Sequence, residues 1–333
     1  MFSLPRRILF LFIGCFTSIF TLNGKPFPVD HESHFSSLSF QGNRKNYSGY
    51  NAVARYKEGF IAAGADGRID RITISGAVTK SEKFPGQKFN CIISNDKIIV
   101  AAGDRGTLLS SDESGIFRNI ESNTGENING LALFRGMIIG VTDHGEIISG
   151  DGTGSFKKSR LPLKGNIVSV SAGESDCYGV TDEGEIIRTS DGSKWDITDF
   201  NKVYSGYYQT SYFTKVLMTD NRIAIVGIHN DGSPVLLLST QGNVWTERPL
   251  IYTDDQGYKA VLEDSPNDII YSGSEDMFYL VCNKGKVMQL PSCNHCNKVA
   301  VIATDDLEGI TFNDKIMIIV GGNFLIKAVS LKW

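Results

Sequence analysis

Short runs of apolar, β-branched and aromatic residues recur along the chain, each broken by a tight Gly/Asp turn and followed by another alternating run. No stretch sustains the 3.6-residue period of an amphipathic helix. Four such units align without gaps: Ala62-Ala63-Gly64-Ala65-Asp66-Gly67-Arg68-Ile69, Ala101-Ala102-Gly103-Asp104-Arg105-Gly106-Thr107-Leu108, Gly140-Val141-Thr142-Asp143-His144-Gly145-Glu146-Ile147 and Gly179-Val180-Thr181-Asp182-Glu183-Gly184-Glu185-Ile186. Their turn glycines fall at 67, 106, 145 and 184, a period of 39 residues. Three looser copies follow: Val226-Gly227-Ile228-His229-Asn230-Asp231-Gly232, Tyr271-Ser272-Gly273-Ser274-Glu275-Asp276 and Ile319-Val320-Gly321-Gly322-Asn323. Apolar run, tight turn and alternating run spell a β-hairpin. The second copy divides into four strands, Phe89 to Ser94 (A), Lys97 to Ala102 (B), Thr107 to Ser111 (C) and Phe117 to Glu121 (D).

Seven four-stranded antiparallel sheets close radially into a β-propeller, which covers their faces and leaves only short edges. A linear β-solenoid is the competing repeat architecture, but its repeats are shorter and carry parallel strands. The expected fold is therefore all-β, a seven-bladed propeller over residues 34–333. The last copy supplies strands A (Leu307 to Phe312), B (Ile316 to Val320) and C (Phe324 to Ser330), then the chain stops without a D strand. The strand-like stretch from His34 to Gln41 belongs to no complete unit of its own. It is expected to supply that missing outer strand and clasp the termini together.

The first residues change the cellular picture. Arg6 and Arg7 precede an apolar run from Ile8 to Phe20, and Asn23-Gly24 offers small residues before Lys25. Residues 1–24 thus read as an export signal and 25–33 as a linker, with a secreted, periplasmic or cell-surface destination. A lipid anchor at Cys15 is disfavoured because Phe12 stands where a lipobox expects Leu, and no later segment is long and apolar enough to span a bilayer. Removing the signal shifts the formal charge from −4 to −6, 31 Lys+Arg against 37 Asp+Glu. Such a surface has no general attraction for phosphate backbones, which argues against nucleic acid as a partner. Five cysteines remain after export, an odd number, and only Cys293 and Cys296 are closely spaced. That pair can form a local disulfide, remain as thiols, or, with His295, bind a metal or exchange thiols.

A second signature follows strand C. It reads Ser110-Ser111-Asp112-Glu113-Ser114-Gly115-Ile116-Phe117, Ser149-Gly150-Asp151-Gly152-Thr153-Gly154-Ser155-Phe156, Thr189-Ser190-Asp191-Gly192-Ser193-Lys194-Trp195 and Ser239-Thr240-Gln241-Gly242-Asn243-Val244-Trp245. These segments resemble the Asp-box, the Ser/Thr-x-Asp-x-Gly-x-x-aromatic turn of bacterial neuraminidase-repeat propellers, and the whole chain resembles photosystem II assembly-factor-like and sortilin-like propellers. Spacing before the glycine varies, and the fourth copy has Gln for Asp. In the box an Asp bonds turn amides, Gly takes positive φ and the aromatic seals the space between blades. The resemblance implies that these turns lie opposite the binding face.

It also raises a sialidase-like glycoside hydrolase as an alternative, a chemistry that needs three arginines around a carboxylate, a Tyr nucleophile and an Asp acid/base. The Arg-Ile-Pro opening of that group is missing, and arginines 68, 105, 118, 135, 160, 188, 222 and 248 occupy different places in the repeat. No phosphate-cradling loop or nucleophile elbow is present, and no cofactor is expected. Binding is the remaining role. Aspartates 66, 104, 143, 182, 231 and 276 fall in turns expected to share one face with the D–A connections, either as a ring of acids or simply as residues suited to tight turns. On that face the connections lengthen and turn aromatic: Tyr204, Tyr207, Tyr208 and Tyr212, then Tyr252, Asp254, Asp255 and Tyr258. The ligand site is therefore expected at Tyr204, Tyr207, Tyr208, Tyr252, Asp254 and Asp255. A monomeric, non-catalytic scaffold for a protein partner is the leading expectation, with a glycan as the alternative ligand.

Overall fold

The computed structural model describes residues 48–330 except 96, 220, 292–296 and 314. They belong to the second of two compact units into which the chain divides, Gln41–Trp333. The expected clasp at residues 34–41, the export signal and the Cys293/Cys296 pair all lie outside the described residues.

Seven antiparallel blades form a ring. Blade one runs through Tyr50–Tyr56 (A), Gly59–Gly64 (B), Arg68–Ile72 (C) and Val78–Lys83 (D), and each later blade repeats that order. Six blades have four strands; blade seven has three among the described residues, Leu307–Phe312, Ile316–Gly321 and Leu325–Ser330. Every A strand contacts the A strand of the next blade, and the first contacts the last, which closes the circle. A bridge between Gly49 and Gly322 and a bond from the Asn323 amide to the Ser48 carbonyl (2.8 Å) tie the start of the ring to blade seven.

The core is divided accordingly into seven clusters, one between each pair of neighbouring blades. Tyr56, Ile61, Phe89, Ile99 and Leu109 fill the first gap. The closing gap holds Tyr50, Phe60, Ile72, Ile318 and Val320. Each fully buried side chain of this kind contributes about 1.5–3 kcal/mol through desolvation, so stability is spread around the ring.

The 39-residue glycine period has a steric cause. At Asp66 and Gly67 the backbone turns left-handed (φ 56° and 62°), and a Cβ on Gly67 would stand 1.9 Å from the Phe84 carbonyl of the following D–A connection. Gly285 repeats both features, with φ 68° and the Ala303 carbonyl 1.9 Å from a built Cβ. This corrects the sixth repeat: the B–C turn of blade six is Asn283–Gly285, between strands Met277–Cys282 and Lys286–Pro291. The segment ending at Asp276 is instead the A–B turn, at the opposite end of the blade, where Asp276 pairs with Arg222 of the neighbouring A–B turn (2.9 Å). Its Ser-Gly-Ser-Glu-Asp composition imitates the repeat, but the turn follows an A strand.

A further repeat device is a bulged asparagine at the second position of strand A. The Nδ2 groups of Asn51, Asn90, Asn129 and Asn267 donate to the carbonyls of Phe89, Ile128, Ile167 and Leu307, the first residues of the next A strands, at 2.7, 3.3, 3.1 and 2.9 Å. Thr214 plays the part in blade five, bonding the Pro266 carbonyl at 2.9 Å. Each bond stitches one blade to the next near the channel.

Candidate functional site

A–B and C–D turns occupy one end of the propeller; B–C turns and D–A connections occupy the other. The acids of the second end build turns. Asp104 and Asp143 accept the amides of Asn90 (2.9 Å) and Asn129 (2.8 Å) in their own blades. Asp182 accepts the backbone and side-chain amides of Asn166 (2.7 and 2.9 Å), and its burial pushes its carboxyl above the ordinary range. Asp231 is bonded to Ser233. With Asp276 at the other end, these residues do not form a free acidic ring.

The C–D turns have the geometry expected from their sequence. Oδ1 of Asp191 accepts the amides of Ser193 and Lys194 (both 2.8 Å), which hold its carboxyl well below the usual range. Asp151 of blade three accepts the amides of Thr153 and Gly154, and Asp112 of blade two the hydroxyl and amide of Ser114, and these bonds likewise lower both carboxyls. Phe156 and Trp245 are buried, whereas Phe117 and Trp195 are half-buried against the adjoining clusters.

The lengthened D–A connections diverge from the others. Residues 200–210 begin with a single helical turn, Phe200–Val203, capped by the Asp199 carboxylate on the Lys202 amide (3.0 Å). Phe200 is fully buried, with the rings of Tyr204 and Tyr208 stacked at 4.7 and 5.8 Å. The hydroxyls of those tyrosines donate to the carbonyls of Asn243 and Trp245 (both 3.1 Å). Tyr204 and Tyr208 therefore fasten the loop to blade five, and Tyr207 projects between them with 84% of its surface exposed.

Residues 248–265 fold as a hairpin of Ile251–Thr253 and Lys259–Val261. Asp254 shapes its tip by accepting the amides of Gln256 (2.9 Å) and Tyr258 (2.8 Å), and Tyr252 is half-buried against the cluster between blades five and six. Asp255 and Tyr258 are exposed. Leu250 and Leu262, just outside the hairpin, are buried and anchor its base.

These two connections meet. Tyr207, Tyr208 and Gln209 form one wall of an open depression of about 390 Å³, and Leu250, Ile251 and Val261 form another. His229 and Glu247 lie at its floor, with His229 Nε2 at 3.2 Å from Glu247 and Nδ1 at 3.1 Å from the Ser211 hydroxyl. Ser211 is fully buried and donates to the Gln209 carbonyl (3.1 Å), so this chain of bonds braces the loop from beneath. Of the residues named from sequence, the structure brings Tyr207 and Tyr208 to the depression. Tyr204 lies behind them, and Tyr252, Asp254 and Asp255 belong to the facing hairpin. Sequence reasoning passed over His229, Glu247, Ile251 and Val261; the alternation of Ile251 and Val261 about a Gly257 turn was the available signal.

Among the described residues no helix is long and apolar enough to cross a membrane. No protein-family model and no curated protein matches the sequence. Among solved structures, the computationally designed Ika8 protein, crystallised in P63, aligns over 87% of this chain and 98% of its own, with a TM-score of 0.61 and 12% identity. At that identity the likeness is one of fold alone.

Proposed function

We propose that the chain is an exported, monomeric binding scaffold that engages a protein partner through the rim formed by the two lengthened D–A connections. One observation carries the reading: Val203, Tyr207, Ile251, Tyr258 and Val261 are all exposed on those connections, and Tyr207, Ile251 and Val261 line one depression between them. A surface of large apolar groups held on buried anchors is suited to protein recognition, because the aromatic faces desolvate on contact at low entropic cost. The kinship with Asp-box propellers is part of the same proposal, supported by turn geometry at Asp112, Asp151 and Asp191. It would place the rim on the binding side. The non-catalytic reading draws on Arg68, Arg188 and Arg222, which lie in blades one, four and five and pair with three separate carboxylates.

An affinity pull-down with the mature chain beside a glycan array tests it. A saturable protein partner whose binding is lost in a folded Tyr207→Ala variant is the expected result. Saturable glycan binding at the same rim would replace the protein with a saccharide, and hydrolysis of sialosides would overturn the scaffold reading.

A further inference from the structure

The depression at the rim has apolar walls and a charged floor. Tyr207 (84% exposed), Ile251 (40%) and Val261 (58%) offer open aromatic and aliphatic faces. Beneath them, Glu247 is the only acid among the described residues that line the depression, and no Lys or Arg is among them. The Glu247 side chain keeps 32% of its surface accessible, whereas that of His229, whose Nε2 lies 3.2 Å from Oε1, keeps 6%. The carboxylate is therefore open from above and steadied from below.

Its position is set by the blade itself. Thr246–Glu247 is the short D strand of blade five, paired with strand C, Pro234–Ser239, at Leu237. His229 ends strand B, Ile223–His229, and its Nδ1 lies 3.1 Å from the hydroxyl of Ser211, the fully buried first residue of strand A. A carboxylate held through three strands of one blade has little freedom to lose when it meets a partner group.

A second carboxylate stands at the edge. Asp231 accepts the amide and hydroxyl of Ser233 (2.9 and 2.6 Å) and is also bonded by the Gln209 side chain; Ser233 and Gln209 both line the depression. These bonds, that of the Ser233 hydroxyl foremost, hold its carboxyl below the ordinary range, so it is charged at neutral pH. The two cations of the facing connection do not line the depression. Arg248 is buried and donates to the Pro291 carbonyl (2.5 Å) and to Asn297 (3.1 Å) of blade six, and Lys259 stands toward the hairpin tip, opposite Thr253.

We infer that this depression receives an arginine side chain of the protein partner, which rests on the rim being the recognition surface. The guanidinium would pair with Glu247 and lay its flat face against the Tyr207 ring, while the aliphatic stem covers Ile251 and Val261. A wholly apolar anchor would strip water from Glu247 and give it no donor in return. An acidic anchor would meet like charge at Glu247 and Asp231. A lysine would reach the carboxylate, but its ammonium is a compact, strongly hydrated charge with no plane to lay on the ring.

Methyl NMR of the full chain, with isoleucine and valine methyls labelled, tests the inference with acetyl-Leu-Arg-Leu-amide and its counterparts carrying citrulline or lysine at the centre. Citrulline keeps the shape of arginine without its charge. The arginine peptide is expected to shift the Ile251 and Val261 methyls saturably and to bind about five-fold or more tightly than the citrulline peptide. That margin is expected to vanish in Glu247→Gln, which keeps an oxygen for His229 and so is expected to melt with the parent. Equal binding of the citrulline peptide, or a margin that survives Glu247→Gln, would overturn the cationic anchor and leave the apolar rim in place. No shift at Ile251 or Val261 with the arginine peptide would also overturn it. Equal binding of the lysine peptide would overturn the choice of arginine and leave a general cation site. The rim reading fails separately, if a partner recovered by pull-down keeps full affinity for folded Tyr207→Ala.

Discussion

Blades one to four and blades five to seven share a scaffold but differ in where they spend their sequence. In the first group the turn glycines recur every 39 residues, and the D–A connections within it are short segments at 84–88, 120–127 and 161–166. In the second group the strands keep the same order and register, while extra residues enter at 200–210 and 248–265. Both insertions are D–A connections, so they lengthen one end of the ring and leave the blade cores unchanged. A propeller can therefore acquire a binding surface without altering the contacts that close it, because insertion in a surface loop has a small and slowly growing entropic cost.

The contrast can be broken most severely in the core. Trp245 of blade five is 3% exposed and packs in the cluster with Phe200 and Phe213, whereas Trp195 of blade four, at the equivalent turn position, is half-buried. Trp245→Ala is expected to lose about 3–5 kcal/mol in chemical denaturation, and Trp195→Ala on the order of 1–2 kcal/mol. Equal losses would show that the half-exposed indole matters as much as the buried one, against the packing described.

These tryptophans also show what was legible beforehand. Their place in the repeat could be read from the Ser/Thr-to-aromatic spacing, but their burial could not, because it depends on how far the neighbouring blade's side chains reach. Seven blades were legible because Gly67, Gly106, Gly145 and Gly184 serve one steric requirement at a fixed interval. Asn51, Asn90 and Asn129 share that interval, and their role as inter-blade stitches emerges only with the bulge that turns them toward the next strand. Blade six misled because a turn-rich composition at Gly273 to Asp276 marks any hairpin, whichever two strands it joins. At the rim, tyrosine enrichment marked the two lengthened connections. It did not separate Tyr204 and Tyr208, which anchor, from Tyr207, which projects.

A smaller effect sharpens the same comparison in acid. Asp191 of blade four accepts two backbone amides, while blade five carries Gln241 at that position and retains only the Ser239 hydroxyl on the Gly242 amide (2.9 Å). Because the folded Asp191 carboxyl lies below its unfolded value, its contribution is present above about pH 4 and is lost as pH falls through the folded pKa. Asp112 and Asp151 act in the same direction. Thermal melts from pH 6 to pH 2 are expected to fall less steeply in Asp191→Asn than in the parent, while Gln241→Ala leaves the slope as it was. A parent-like slope in Asp191→Asn would remove that turn from the acid response.

The central claim is that the lengthened connections carry recognition while the ring carries stability. The most direct measurement is the affinity of a Tyr207→Ser/Val261→Ser variant for the partner recovered by pull-down, taken together with its melting curve. Both side chains are largely exposed and border the depression from opposite connections. An unchanged melt with affinity reduced at least about ten-fold is the predicted result; an unchanged melt with full affinity would contradict it and move recognition away from blades four to six.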